Sequence, residues 1–527
     1  MGLVQRQGIK YSIVNWVGVL IGAYSSLFVY PRALEEFGLL RFILDTAALL
    51  LPLISLGISS VSIRFFPQFE DKERGHHGYL GVLMLWGLAG YLIFGGLALL
   101  LWQPISAFYA ERSILFAGRL WLLFPVSLLM LVNGVLNQYA LNFKRIVVPS
   151  LLMDFSQKLA LPLLVIAYWQ RLLPLDAMLS GIVVYMALVT VGFVIYIRHL
   201  GAWYWRPDRA FFRKMFGPMR KYAVFGLVGG LGFLLISKLD TWSVGTFVGL
   251  KSNGVYAIAS FIANIMEVPS RGLLNISIPL IVKHWHEKNT AEIASLYQKV
   301  SINLFIFGLL LFGAFWISVG PFYKIVANGQ MLETGKIVIL LLGIGKLVDM
   351  ATGLNNYILN YSEHFRYSYW QIGLPALVGV FASIALVPSM GMTGAAIATL
   401  ISTMFYNGIS LWLNWHFFRM QPFSFQSLIA LSLAIVILCH RLAVADARQP
   451  VGGDPAEVWC FLRAIPRQRA STSGVARFEC AVAWVFKAYR LNVPTNRANA
   501  PKVFDKPHYC CLTLLEKLST LVLHQKH

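Results

Sequence analysis

Residues 222–248 read YAVFGLVGGLGFLLISKLDTWSVGTFV, an apolar run that carries two charged side chains, Lys238 and Asp240. The hydrocarbon core of a bilayer is about 30 Å thick, and roughly 20 apolar helical residues cross it. The run is long enough to do so. Because ionisable residues inside a membrane are costly and most often functional, we predict a membrane helix in which Lys238 and Asp240 belong to a working site.

The composition of the chain extends this interpretation beyond one segment. Of 527 residues, 57% are hydrophobic and 13% are charged, whereas soluble domains are about 25% charged. Too little polar surface remains to cover a water-soluble globule. A soluble enzyme, a nucleic-acid-binding protein and a disordered scaffold are therefore excluded for the bulk of the chain, although the net charge is +21.

Similar apolar runs recur along the sequence, bounded by charges or by Pro and Gly. Twelve of them precede residue 416, and residues 427–444 begin another. The predicted spans are 11–30, 42–63, 79–102, 120–141, 147–168, 177–197, 222–248, 254–281, 301–320, 336–358, 368–387 and 393–415. We therefore predict an all-α polytopic membrane protein with twelve to fourteen transmembrane helices.

The basic residues predict the orientation and a division into halves. With the N-terminus inside, most Lys and Arg residues between spans face the cytoplasm, as membrane proteins require. The richest inner segment holds Arg198, Arg206, Arg209, Arg213, Lys214, Arg220 and Lys221. We expect an N-terminal six-helix lobe at 1–197, a basic cytoplasmic linker at 198–221 and a C-terminal six-helix lobe at 222–415.

Ten ionisable residues fall within or at the ends of predicted spans. They are Asp45, Arg119, Asp154, Lys158, Lys238, Asp240, Glu267, Arg271, Lys346 and Asp349. Asp154 with Lys158 and Glu267 with Arg271 have an i,i+4 spacing. Lys346 with Asp349 has an i,i+3 spacing, and both spacings let opposite charges neutralise each other on one helix face. Lys238 and Asp240, two residues apart, point to different sides of a helix, so each needs another partner.

Two functional interpretations of these charges stay open. Cations that line a central water-filled cavity would attract a phosphate or a sugar acid, whereas facing carboxylates would bind a coupling proton or sodium ion. Arg64 and Arg119 lie near span ends, where a long side chain reaches the interface. That structural role competes with a binding role for both residues.

Motifs of soluble catalysis and of metal binding are absent from the sequence. No Walker A motif, HExxH, CxxC or nucleophile elbow occurs, which predicts that the protein is not an enzyme and has no metal site. Glu35 and Glu36, in a predicted external loop, support one alternative. Membrane glycosyltransferases and polymerases that use lipid-linked sugars keep an acidic residue in such a loop, but they also carry large external loops.

Three stretches carry a resemblance to a known family. They are LGISSVSIRFFPQFEDKE at 56–73, KLDTWSVGTFVGLKSNGVYAIA at 238–259 and GMTGAAIATLIS at 391–402, with Tyr406 and Asn407 behind the last. In order and spacing they resemble Wzx-type flippases of O-antigen and other polysaccharides, in the multidrug/oligosaccharidyl-lipid/polysaccharide exporter superfamily. The resemblance covers about residues 1–440.

This resemblance implies a MATE-like bundle of two lobes around a central cavity, in the bacterial inner membrane with a cytoplasmic N-terminus. Its members move undecaprenyl-pyrophosphate-linked oligosaccharides between leaflets by alternating access, for lipopolysaccharide and other surface polysaccharides. The implied partners are the lipid-linked oligosaccharide, membrane lipids and polysaccharide polymerase or export proteins. No cofactor is implied, although coupling to a proton or sodium gradient is open. The implied substrate-binding residues are Lys238, Asp240, Arg271, Glu267, Arg64, Arg119, Lys158 and Asp154.

Other members of the superfamily remain alternatives at this point. A multidrug or cation antiporter and a lipid II flippase would both suit the number of predicted helices. The C-terminal residues 445–527 contain four of the five cysteines and more charge than the rest of the chain. We expect residues 416–444 to start an additional helix. We also expect 445–527 to be a disordered or frameshifted tail, with a genuine soluble appendage as the alternative.

Overall fold

The helix Leu34–Ser55 lies at the centre of the structure, a computed structural model that describes residues 3–71, 73–143, 145–423 and 432. Leu40, Phe42, Ile43 and Ala47 of this helix are completely buried. A helix with apolar side chains buried on several sides is stable only when other helices surround it, and helices that follow it in the chain cover this one. The predicted segments 427–444 and 445–527 lie outside the described residues.

The described residues form α-helices joined by short turns, with no β-strand among them. The α-helices are α1 (Leu3–Tyr24), α2 (Leu34–Ser55), α3 (Ile58–Phe69), α4 (Tyr79–Leu100), α5 (Trp102–Ala110), α6 (Ile114–Ala117), α7 (Leu123–Leu141), α8 (Val147–Ser150), α9 (Ser156–Trp169), α10 (Leu175–His199), α11 (Arg209–Phe247), α12 (Leu250–Ile265), α13 (Val268–His286), α14 (Thr290–Tyr323), α15 (Gly329–Glu333), α16 (Lys336–Thr352), α17 (Asn355–Asn360) and α18 (Ser368–Phe418). Two π-helical turns, Ser25–Val29 and Leu151–Phe155, interrupt this pattern.

Membrane-spanning helices account for most of this architecture. Within the described ranges, eight helical stretches are long and apolar enough to cross a bilayer, or nine if the bent pair α12 and α13 is one span. Large apolar side chains on α4 and α10 point outward, including Leu92 at 64% exposure and Leu188 at 66%. The chain is an all-α, multi-pass membrane protein, as the sequence predicts.

Backbone breaks divide the apolar runs differently from the predicted spans. The predicted span 42–63 is not one helix, because Leu56 and Gly57 both have left-handed backbone angles between α2 and α3. The predicted span 254–281 is bent by 40° between α12 and α13. The predicted span 336–358 stops after Thr352, since Gly353 has a φ of 52°. Apolar composition does not reveal such breaks.

The last described helix, α18, consists of two helical arms that form a hairpin. Gly391 separates the arms with a φ of 60° and a ψ of −137°. The Ser402 hydroxyl donates to the Pro375 carbonyl at 2.8 Å across the two arms. The chain therefore reverses direction at Gly391, the first residue of the glycine-rich stretch at 391–402.

Close backbone contact holds α2 against α12. The side-chain amide of Asn253 donates to the Gly38 carbonyl at 3.0 Å. A Cβ atom at Gly38 would lie 1.9 Å from the Leu250 carbonyl oxygen, and one at Gly254 would lie 2.3 Å from that of Leu34. Small residues permit this approach of two membrane helices.

The basic linker packs against the first half of the chain through its early residues. The Asp208 amide donates to the His77 carbonyl at 3.0 Å, and the Tyr139 hydroxyl donates to the Ala202 carbonyl at 2.9 Å. From Arg209 onward the predicted linker is helical and continues without interruption into the membrane span of α11. Basic segment and membrane helix are thus one element.

Substitutions at the α2–α12 contact test this packing. We expect Gly38→Ala or Gly254→Ala to destabilise the protein by about 1–3 kcal/mol, because the added methyl group meets backbone atoms that cannot rotate away. Gly95→Ala is the matched control, since a Cβ atom there contacts nothing within 4 Å. Thermal unfolding in detergent measures the difference, and equal stability of all three variants would contradict the contact.

Asp208 begins α11 and provides a second test, at the linker. Its carboxylate accepts from the amides of Ala210 and Phe211 and lies 3.1 Å from Nδ1 of His77. The Phe211 amide, followed by His77, lowers the pKa of Asp208 below its usual value. A lowered carboxyl pKa stabilises the fold above the usual carboxyl range, and that contribution disappears as the pH falls through the lowered value.

We therefore expect Asp208→Ala to lower the unfolding temperature at neutral pH. The difference from the unsubstituted protein should shrink as the pH falls below about 4. Glu111→Gln, at an exposed carboxylate, is the control and should show little difference at any pH. A difference between Asp208→Ala and the unsubstituted protein that does not change with pH would contradict this role.

Candidate functional site

Asp45 is the buried carboxylate around which charged side chains from both halves of the chain meet. Its side chain is only 3% exposed, yet it lies on α2 inside a membrane span. Arg41 Nε donates to Asp45 Oδ2 at 2.9 Å, and Lys238 Nζ lies 3.0 Å from Asp45 Oδ1. A buried charge is tolerated only when it is paired and hydrogen-bonded, and both oxygens of Asp45 satisfy this requirement.

Asp240 is held separately, as its two-residue distance from Lys238 requires. The Tyr256 hydroxyl of α12 donates to Asp240 Oδ2 at 2.9 Å, and the Thr241 amide donates to Oδ1 at 2.7 Å. Arg41, Asp45, Lys238, Asp240 and Tyr256 form what we call the Asp45 cluster. It joins α2, α11 and α12 and contains two cations and two carboxylates.

A second group of charges lies around Lys346 of α16. Lys346 Nζ donates to Glu267 Oε2 at 3.1 Å and lies 4.0 Å from Asp349 Oδ2. The Asn407 amide of α18 donates to Asp349 Oδ1 at 2.7 Å. Glu267, Lys346, Asp349 and Asn407 are named the Lys346 cluster. Glu267 lies at the bend between α12 and α13, so this cluster ties the bend to α16 and α18.

Arg271 and Lys158 are cations beside the Lys346 cluster without a close carboxylate. Within the described ranges neither makes an ion pair shorter than 4.0 Å, and Arg271 is exposed. The positive charge of Arg271 repels those of Lys158 and Lys346, so the three cations lie near one another. The Lys158 amine packs over Gly18 of α1, where a Cβ atom would lie 3.1 Å from it. Cations of α9, α13 and α16 therefore face a common region.

The expected i,i+4 pairs do not form as the spacing suggested. Glu267 pairs with Lys346 rather than with Arg271. Asp154 is exposed and accepts a 3.4 Å hydrogen bond from Ser150. It lies in the π-helical turn Leu151–Phe155, whose wider winding changes the angle between residues four apart.

Two of the predicted site residues lie outside both clusters. Arg119 Nε donates to Asp176 Oδ1 at 2.6 Å near the start of α10. Arg64 is exposed, and its guanidinium lies 6.0 Å from the ring centre of Tyr222. In the part of the chain that the structure describes, no group of three or more His, Cys, Asp or Glu side chains could hold a metal ion.

Several residues of the clusters escaped the sequence prediction. Arg41 lies just outside the predicted span 42–63, although its i,i+4 spacing from Asp45 is visible in the sequence. Tyr256 and Asn407 are uncharged and are not among the predicted site residues. A large pocket of about 510 Å³ lies between α4 and α11, away from both clusters.

Comparisons with known proteins agree with this architecture. No family model matches the chain. The amylovoran biosynthesis protein AmsL of Erwinia amylovora is 25% identical over 293 residues, which cover 54% of this chain and 72% of that protein. The inward closed conformation of the lipid II flippase MurJ matches with a TM-score of 0.67 and 12% identity, over 92% of this chain and 100% of that chain.

A second solved structure has the same helical arrangement. The inward-facing multidrug resistance MATE family transporter of the MOP superfamily matches with a TM-score of 0.57 and 14% identity, over 77% of this chain and 98% of that chain. The chain therefore has the fold of these two transporters. These similarities support the resemblance of the sequence motifs to flippases of the same superfamily.

A double-mutant cycle tests the contact between the halves. Asp45→Asn leaves Arg41 and Lys238 without their carboxylate, and Lys238→Met leaves Asp45 with one cation. We expect each substitution to destabilise the protein. The double variant should lose less stability than the sum, with a coupling energy of about 0.5–3 kcal/mol.

Thermal unfolding of the four proteins gives the coupling energy of this cycle. Pairing Asp45→Asn with Lys336→Met is the control, because Lys336 lies 5.3 Å from the Trp316 ring rather than near Asp45. Additive effects of Asp45→Asn and Lys238→Met would show that the two side chains do not interact in solution.

Proposed function

We propose that this protein moves a lipid-linked oligosaccharide, carried on undecaprenyl pyrophosphate, from one leaflet of the bacterial inner membrane to the other. The observation that carries the proposal is the exposed guanidinium of Arg271, which lacks a close carboxylate within the described ranges and lies near Lys158 and Lys346. A planar guanidinium with free donors suits a phosphate group. The sequence similarity to a protein of amylovoran biosynthesis supports a polysaccharide-related substrate.

The Asp45 cluster supplies a means of coupling substrate to movement. Lys238 of α11 and Asp45 of α2 are 3.0 Å apart, so their ion pair holds a helix of the second half against one of the first. A pyrophosphate that binds Lys238 competes with the Asp45 carboxylate for the same ammonium group. Binding therefore weakens the contact between the halves, and a ligand shifts a conformational equilibrium only through such a difference in affinity.

Within this proposal the predicted site residues take different roles. Lys238, Arg271 and Lys158 bind the anionic part of the substrate, while Asp240 and Glu267 position cations and helices around it. We also assign Asp154, Arg64 and Arg119 to contacts with the substrate, outside the two clusters. The two six-helix lobes, a cytoplasmic N-terminus and coupling to a proton or sodium gradient belong to the same proposal, as do contacts with a polysaccharide polymerase.

Complementation of cells that lack the gene tests the function. Without the protein, lipid-linked oligosaccharide should accumulate facing the cytoplasm, because synthesis continues while transfer stops. Accumulation of lipid II instead would identify a lipid II flippase. Unfinished glycans beside an unused sugar donor would identify a glycosyltransferase. Thin-layer chromatography and mass spectrometry of the extracted lipids distinguish these results.

Substitutions of the cations test the site. We expect Arg271→Ala and Lys238→Ala to abolish surface polysaccharide, measured by immunoblot, while membrane fractions still contain the protein. Arg271→Lys should retain partial activity because it keeps the charge. Arg112→Ala is the control, at an arginine outside both clusters. Surface polysaccharide at the unsubstituted level in both alanine variants would remove the assignment of these cations to the substrate.

A further inference from the structure

The pocket between α4 and α11 has a volume of about 510 Å³ and opens on the side of the helix bundle. Eleven of its twelve lining residues are apolar or aromatic, and Arg220 is the exception. Val82 and Ala223 form its buried base, whereas Leu85 and Val224 are 53% and 59% exposed at its rim. A slot of this kind on a membrane-facing surface is suited to hydrocarbon.

Arg220 gives one end of the slot a free positive charge. Its side chain is exposed, with the guanidinium 5.9 Å from the Phe216 ring centre. Among the residues that the structure describes, no carboxylate lies within 4.0 Å of it. The nearest acidic residue before it on the chain, Asp208, already binds two backbone amides and His77. The guanidinium is therefore available to an external anion.

The surrounding helix strengthens this positive charge. From Arg209 to residue 239 the sequence of α11 contains no Asp or Glu. Its first turns carry four further cations, Arg209, Arg213, Lys214 and Lys221. α4, the other wall of the slot, carries no charged residue. An apolar slot under a purely cationic edge matches a molecule with hydrocarbon chains and an anionic headgroup.

We propose that this pocket binds an anionic glycerophospholipid, with an acyl chain in the slot and the phosphate on Arg220. Basic pockets between membrane helices at the bilayer surface recognise such headgroups. The undecaprenyl-linked substrate shares the phosphate chemistry but fits the geometry less well. Arg220 and Lys238 are 18 positions apart on one helix, about 27 Å, so a phosphate at Lys238 cannot also contact Arg220.

The lipid site is thus separate from both charge clusters and does not depend on the proposed function. A lipid that fills the slot contacts α4 of the first half and α11 of the second at once. We expect the bound lipid to raise the unfolding temperature of the purified protein, since a ligand that binds only the folded state stabilises it.

Native mass spectrometry of the purified full chain tests the site. The protein in detergent is titrated with dioleoylphosphatidylglycerol or with dioleoylphosphatidylcholine, and bound lipid is counted. We expect the anionic lipid to bind preferentially. Arg220→Ala should weaken its binding roughly tenfold, the loss typical of one charge-assisted contact, whereas Arg220→Lys should keep most of the preference.

A second variant tests the apolar slot without changing charge. Ala89→Phe places a ring in the pocket and should weaken binding of both lipids. Leu92→Phe, at an outward residue of the same helix that does not line the pocket, is its control. Arg112→Ala is the control for Arg220→Ala, because Arg112 also lies over a phenylalanine four residues earlier, 3.8 Å from the Phe108 ring centre.

Three results would overturn the proposal. One is equal binding of the two lipids by the unsubstituted protein, and another is unchanged binding of the anionic lipid by Arg220→Ala. The third is displacement of phosphatidylglycerol by equimolar undecaprenyl phosphate from the unsubstituted protein but not from Ala89→Phe, which would assign the pocket to the polyprenyl carrier. Size-exclusion chromatography confirms that each variant remains folded.

Discussion

A carboxylate buried in the middle of a membrane bundle has to be neutralised, and Asp45 is neutralised by two cations from two helices. Arg41 comes from its own helix one turn away, and Lys238 comes from α11 in the second half of the chain. Removing either helix would leave a charge in an apolar interior, at a cost of several kcal/mol. The packing of α2 against α11 and the position of Lys238 both follow from this requirement.

The backbones of α2 and α12 are constrained by close packing, as the charged side chains are constrained by Asp45. Gly38 and Gly254 let α2 and α12 approach until side chains would collide with carbonyl groups. Tyr256, two residues beyond Gly254, then reaches Asp240 on the neighbouring helix. The polar contacts and the close backbone contacts therefore depend on each other, because the same three helices, α2, α11 and α12, make both.

Sequence alone revealed the membrane helices, the fold class and the energetically costly charges inside the membrane, because the composition and the length of the apolar runs determine these directly. It also required separate partners for Lys238 and Asp240, since two residues correspond to about 200° around a helix. It could not pair Lys238 with Asp45, because packing brings distant segments together. It also missed the breaks at Leu56 and Met266 and the π-helical turn at Asp154, which rest on backbone angles that composition does not specify.

The unbroken course of α11 has a mechanical consequence. Its 39 residues extend about 58 Å, from the basic residues beyond Asp208 through Lys238 to Phe247. Pro218 lacks the amide hydrogen that would bond to the preceding turn, so the helix bends most easily at this residue. Between Pro218 and Lys238 no loop interrupts the helix, so a rotation of this stretch carries the ammonium group of Lys238 with it. α11 therefore connects the basic residues that follow Asp208 to the buried charges around Asp45 in one element.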